Sequence, residues 1–441
     1  MAASVVPVGA RAPQASCASP TYVAALGWAC PVPGGYQVLL GDGTTVLSHG
    51  GDPIPRFSEG RRKLKVEGKQ PSCVTNPNTA FHVQLVYVSP SDQPSRYSKN
   101  IGQIRRMARL ANGVLYADAR RLGRARSLRM ACSGREPTVR ELRLSVPNAD
   151  QDFAQVVTEM RRAGFTSPLA KYWVYYDGRP PDAPAGTGSF KDDANLRASN
   201  QSNFGPGYAV TWGIPVEYGG SGVMLHELGH TLGAVQLSAP NSSGAAHCND
   251  GPDVMCYDDG GPTSRYRSNA CSTVRFDCHN NDYFHPRPKS KNYLHDSWNV
   301  ASPWNRFLAG CLYRTEQLNV DPNHLVAGLQ QQRVTLDVGS RFAIPKRCRN
   351  RPFALSAVHV PLPEIVYDTL GVIPEAIDPG PHRIYSQIVP SNVDICFFRS
   401  SKPLTCFAVA ESEEGFVPRT ATHAQITLAG WIDGLAVLNI D

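Results

Sequence analysis

The run Val223 to Gln236, VMLHELGHTLGAVQ, restricts the fold of this chain more than any other stretch. His226 and His230 are four residues apart, so a helix projects both imidazoles from one face on successive turns. Two ring nitrogens then reach a single point, which is the arrangement a metal ion takes. Glu227 stands beside the first histidine, within reach of a water at that point. The fold must therefore hold a helix here and bring at least one more ligand to it.

Twelve cysteines, an even number with no CxxC spacing, point to disulfides formed in an oxidising compartment, and hence to a secreted, extracellular protein. With 441 residues, 41% of them hydrophobic, the chain can bury more than one core. The net charge of +7 is small for this length and spread along it, which gives no nucleic-acid footprint. No apolar run is long enough to span a membrane, and the expected state is a monomer. The start, MAASVVPVGARAPQAS, lacks a basic leader region and reads as already processed.

The hydrophobic pattern predicts an α+β protein in three parts. Residues 1–75 form a loop-rich and β-rich segment whose hairpin turns at Gly41-Asp42-Gly43. Residues 76–315 alternate strands (Phe81 to Val88, SLRMAC, VRELRLSV, KYWVYYDG) with helices at Asn100 to Gly123 and Asp150 to Gly164. Here GYAVTWGI reads as an edge strand that an extended substrate can pair with, and Ser221 as the cap of the next helix. YLHDSWNVASPWNRFLAG reads as a further helix. Residues 316–441 carry short β segments such as RVTLDV, ICFFRS and AQITLAGWI, predicting a β-rich accessory domain.

His226-Glu227-x-x-His230-x-x-Gly233, followed by DVMCY at Asp253 to Tyr257, resembles the metzincin clan of zinc peptidases. The wider context is similar to secreted actinobacterial zincin-like proteins. The resemblance implies a twisted mixed sheet with an active-site helix, one catalytic Zn²⁺, and cleavage of a protein or peptide substrate. It also implies a methionine floor at Met255, Glu227 as general base, and Tyr257 as a donor to the oxyanion.

The departure is Gln236, where the clan pattern has its third ligand. Glutamine is a neutral, weak zinc ligand. Leishmanolysin-like members bring the third histidine in after an insertion, and His247 is then the first candidate here, with Asp250 second and Gln236 third. A bridge between Cys248 and Cys256 would tie the His247 loop to Met255. Asp258, Asp259 and Asp282 are candidates for Ca²⁺, though no EF-hand spacing is present. Cys73 reads as disulfide-bonded rather than as an inhibitory thiol, and Asn200-Gln201-Ser202 is a formal glycosylation sequon. His279, His285 and His295 form no spaced pair. Two other readings compete with peptide hydrolysis: a binding protein that keeps the fold without turnover, and a zinc hydrolase of a non-peptide amide.

Overall fold

The structure is a computed structural model that describes residues 19–53, 68–216, 219–271, 275–319, 335–359, 392–409, 412–429 and 433–441. It divides into two compact units, Met1–Leu308 and Ala309–Asp441. The protein is mixed α+β, with several sheets and few helices.

The first unit opens with four antiparallel strands, β1 (Thr21–Val23), β2 (Gly27–Val32), β3 (Gly35–Leu39) and β4 (Thr45–Ser48). The β3–β4 hairpin turns where its sequence predicts, with Gly43 at φ 81°. The remaining elements are β5 (Ser72–Val74), β6 (His82–Ser89), α1 (Tyr97–Arg121), β7 (Ser127–Ser133), β8 (Glu136–Pro137), β9 (Val139–Arg143) and α2 (Phe153–Arg162). They are followed by β10 (Ala170–Tyr176), β11 (Gly186–Gly188), β12 (Gly207–Trp212) and α3 (Gly220–Thr231).

The central sheet runs in the order β11-β12-β10-β6-β7, with β12, β10, β6 and β7 parallel and β11 antiparallel at the end. Strands β6 and β10 are buried along their whole length, as parallel strands covered on both faces must be. Successive side chains of β10 separate the two faces. Tyr172, Val174 and Tyr176 join a core with Phe153, Val156, Val157 and Met160 of α2 and with Leu26, Ala29, Val38 and Leu40 of the N-terminal segment. On the opposite face, the Trp173 indole donates to the Met224 carbonyl of α3, and Gln103 of α1 donates to the Tyr175 hydroxyl. The two faces thus carry different partners: α3 with α1 on one, α2 with the N-terminal sheet on the other.

Three local readings differ from the structure. GYAVTWGI is not an edge strand, because β12 pairs with β10 on one side and with β11 on the other. α3 is capped by Gly219 in the left-handed region (φ 90°), and no side chain caps it, so Ser221 has no such role. Residues Tyr293 to Gly310 form no α-helix: a 3-10 turn at Tyr293–His295 is followed by irregular chain and a two-residue strand at Leu308–Ala309. The reason is local competition for backbone groups. Asn299 Oδ1 accepts from the Ala301 and His285 amides, Asn305 binds the Val300 carbonyl and the Phe307 amide, and Pro303 interrupts the run.

Strand β13 (Leu308–Ala309) lies at the boundary between the units. The second unit is all β. It contains β14 (Leu312–Asn319), β15 (Thr335–Ala343), β16 (Pro352–His359), β17 (Asn392–Arg399), β18 (Lys402–Val409), β19 (Ser412–Phe416), β20 (His423–Ala429) and β21 (Asp433–Ile440). These make two four-stranded antiparallel sheets, β14-β21-β16-β19 and β15-β20-β17-β18. Leu355 and Leu438 of the first sheet share one buried cluster with Val393, Ile395 and Ile426 of the second.

Candidate metal centre

Helix α3 is buried on all sides from Val223 onward, so His226, Glu227 and His230 lie in the protein interior beside Val223, Met224, Leu225 and Leu228. It is anchored at both ends by indoles: Trp173 on Met224, and Trp298, whose Nε1 donates to the Leu232 carbonyl at 2.8 Å. Gly233 then turns the chain out at φ 82°, and a Cβ there would stand 2.6 Å from Trp298 Nε1. Beneath the helix, Met255 Sδ packs so closely on Gly229 that a Cβ at that glycine would lie 2.6 Å away. Met255 is therefore a floor to the helix, as the motif predicts.

His247 arrives from the loop after α3. The loop folds back through a bond from the Ser243 amide to the His247 carbonyl (2.8 Å) and a bridge between Cys248 and Cys256. The Cys248–Cys256 disulfide predicted from sequence is present, as is a Cys73–Cys132 disulfide joining β5 to β7. Asp253 fixes the Met255 turn by accepting from the Met255 amide at 2.7 Å and the Cys278 amide at 2.8 Å.

These elements bring His226, His230 and His247 together, all within the protein interior. The His226 Nε2 lies 3.1 Å from His230 Nε2 and 3.3 Å from His247 Nε2. On its far side His226 Nδ1 faces the Val254 carbonyl at 2.6 Å, and His247 Nδ1 faces Asp259 Oδ2 at 2.9 Å. Those outer acceptors suit a proton on Nδ1 of His226 and of His247, the tautomer in which the inward Nε2 offers a lone pair to a bound cation, while His230 Nδ1 meets no acceptor. Lone pairs crowded in this way suit a shared cation. Four ligands around a tetrahedral zinc at ~2.0–2.1 Å stand about 3.3–3.4 Å from each other, and the observed separations of 3.1 and 3.3 Å come within a few tenths of an ångström of that.

A fourth group completes the set, and it is one the sequence reading missed. Asp52, from the segment after β4, puts Oδ2 3.0 Å from His226 Nε2 and Oδ1 3.1 Å from His247 Nε2. Its Oδ2 is buried with no hydrogen-bond donor. Its neighbour His49 stacks on His230, ring centroids 3.7 Å apart, and sets Nε2 3.4 Å from Glu227 Oε2. No local pattern marks these residues. Their only signal is a His and an Asp three apart beside glycines, in SHGGDP.

Glu227 is fully buried, and β11 comes so close that any side chain at Gly186 would strike it. Burial, reinforced by the adjacent Asp52 carboxylate, raises the Glu227 carboxyl well above the ordinary range. Burial also opposes ionisation of Asp52, but the surrounding His226, His49 and His247 rings outweigh it and hold Asp52 well below its usual value. His49 is brought down to about 3 by burial, with Asp52 opposing and His247 and His226 adding to the shift. Tyr257 sits over His247, ring centroids 4.4 Å apart, and donates to Asp52 Oδ1 at 2.6 Å. Burial, then Asp52, raise its phenol far above normal, so it remains a donor.

The other candidates lie elsewhere. Gln236 spans two pieces of backbone, accepting from the Asp193 amide and donating to the Gly233 (2.8 Å) and Lys191 (3.1 Å) carbonyls. Asp250 faces His279 Nδ1 at 2.9 Å, away from the three histidines. Asp258, Asp259 and Asp282 do not converge on a calcium site. Asp258 accepts from Ser264, Asp259 serves His247, and Asp282 binds Asn241. Asn200 is fully buried, with Nδ2 on the Asp193 and Asn195 carbonyls, so its sequon is closed in the folded chain.

No family model and no curated protein matches this chain. Among solved structures, wild type OgpA from Akkermansia muciniphila is similar at 10% identity, over 85% of this chain and 88% of that one, with a TM-score of 0.23. Catalytic inactive OgpA from the same organism, in complex with an O-glycopeptide (glycodrosocin) substrate, is similar at 11% identity, 85% and 87% coverage, and a TM-score of 0.25.

Proposed function

We propose that this chain is a secreted zinc-dependent metallopeptidase of metzincin-like design, with His226, His230 and His247 as metal ligands and Glu227 as general base. The reading rests above all on the convergence of three histidine Nε2 atoms beside a buried glutamate. A bound zinc ion supplies Lewis acidity to a peptide carbonyl and to water. Glu227 removes the proton of the attacking water and passes it to the leaving amine as the C–N bond breaks, a role suited to a carboxyl whose affinity for protons is raised. The Tyr257 hydroxyl points at the position Asp52 holds and can donate there to a developing oxyanion. The edge strand β11 replaces β12 as the strand an extended substrate would pair with. Five disulfides among the described residues, and no helix long and apolar enough to cross a membrane, are consistent with secretion.

The test is to load the chain with zinc, offer a diverse peptide mixture, and read new termini by mass spectrometry. It is run on the wild type and on Asp52→Asn, because Asp52 stands in the position a water has to take, and each is compared with its Glu227→Ala counterpart. Cleavage that depends on Glu227 supports a peptidase. A zinc-loaded, folded protein that cleaves nothing in either background removes the peptidase reading and leaves a binding protein on the same scaffold or a hydrolase of a non-peptide amide.

A further inference from the structure

We propose that the segment Leu47–Asp52 keeps this site latent by occupying both the fourth ligand position and the place of the substrate. The inference rests on the metallopeptidase reading above and deepens it. Three independent contacts support it.

The first is coordination. Asp52 Oδ2 lies 3.0 Å from His226 Nε2 and Asp52 Oδ1 lies 3.1 Å from His247 Nε2, within a few tenths of an ångström of the spacing between neighbouring ligands of one tetrahedral ion. A catalytic ion keeps one position open for water, and Asp52 fills it. The second is the backbone. The Asp52 amide donates to the Gly186 carbonyl at 3.0 Å and the Ala185 amide to the Asp52 carbonyl at 2.7 Å. Further along, the Phe190 amide donates to the Leu47 carbonyl at 3.0 Å, and Ser48 Oγ donates to the Gly188 carbonyl at 2.9 Å. The segment therefore runs antiparallel along β11, using the edge that an extended peptide would need. The third is the base. His49 Nε2 accepts from the Gly188 amide at 3.3 Å, and the ring covers Glu227 and lies flat on His230.

Ligand, strand and cover belong to six consecutive residues, so all three blocks leave or stay together. Neither water nor substrate enters while the segment is seated. A small ligand that competes for the metal has to wait for the open form, and its apparent affinity falls by the open fraction.

The experiment loads the full-length wild type, Asp52→Ala and Asp52→Asn with Co²⁺ and titrates each with acetohydroxamate, following the visible absorption of the ion. Asp52→Asn keeps the shape of the side chain, and a cooperative thermal transition shows that each variant is folded. The expected result is a changed Co²⁺ spectrum in the variants and a hydroxamate response at concentrations at least ~10-fold lower than in the wild type. Peptide cleavage by the zinc-loaded variants is expected to rise by a similar factor. Equal hydroxamate responses in wild type and variants overturn the latency while leaving the metal centre standing. A variant-only response without any cleavage supports latency and removes the peptidase reading. Failure of every form to bind Co²⁺ removes the metal centre, and the latency with it.

Discussion

Replacing Asp259 by asparagine isolates what an outer carboxylate does for a histidine proposed as a metal ligand. Asp259 Oδ2 is 2.9 Å from His247 Nδ1 and is itself held by the Ser243 hydroxyl at 2.5 Å. It fixes the ring orientation and favours the tautomer that leaves Nε2 free. Loss of such a partner weakens metal binding by on the order of 10–100-fold, about 1.4–2.8 kcal/mol. The control is Asp258→Asn, an identical charge change one residue away. Asp258 is exposed and reaches only the Gly260 amide and the Ser264 hydroxyl. Its effect through screened solvent should stay below about 0.4 kcal/mol, roughly twofold. Zinc affinity is measured by competition with a chromophoric chelator at neutral pH. Equal losses in the two variants would refute the reasoning, since they would mean that net charge and not the bond to His247 sets the affinity.

Three further outcomes follow from the fold. Lys171 is buried and brought down to about 7, by burial first and then by Lys191, so the folded state binds fewer protons than the unfolded state between about pH 7 and 10.5. Its cost, about 5 kcal/mol, is full below pH 7 and fades as pH rises through that window. Lys171→Met leaves the Phe204 carbonyl without its donor, at about 1–3 kcal/mol, so it should gain roughly 2–4 kcal/mol at pH ~6 and lose that advantage near pH ~10. Urea unfolding at both pH values checks this, and parallel profiles for the two proteins would count against it. Gly233→Ala forces a side chain into positive φ and against Trp298, and should cost about 2–4 kcal/mol in the same assay. Removing the Cys248–Cys256 bridge by a double serine substitution should cost about 2–3 kcal/mol and weaken zinc retention; unchanged retention would mean that the loop needs no staple.

The helix that carries His226, Glu227 and His230 was legible because two constraints coincide in one short run: the spacing of the two histidines and the glycine exit. His247 was legible for a different reason. The cysteine after it pairs with the cysteine after Met255, and a tight staple leaves the loop little choice of position. Gln236 looked anomalous only against the clan pattern. In the structure it holds three backbone groups at the helix exit, which no spacing rule reveals. Asp52 and His49 were hidden because their partners are more than 130 residues away in sequence and meet them through a sheet edge. The edge itself, β11, is three residues of Gly-Thr-Gly with no alternation to detect. The misread helix near Trp298 shows the opposite failure: its apolar residues had the right spacing, but Asn299, Ser302 and Asn305 claimed the backbone.

The N-terminal sheet does more than carry Asp52 to the metal centre. Leu26, Val38 and Leu40 are essentially fully buried against α2, and at about 2 kcal/mol each they bind the sheet with roughly 6 kcal/mol. The first turn of α2 also relies on it, with the Phe153 and Ala154 amides donating to the Ala25 and Leu26 carbonyls. That is comparable to the whole stability of a small domain. A backbone cut after Pro53 would leave this piece seated as a tightly bound second chain. Its dissociation rate, and not the cut, would then set the moment at which the cleft opens.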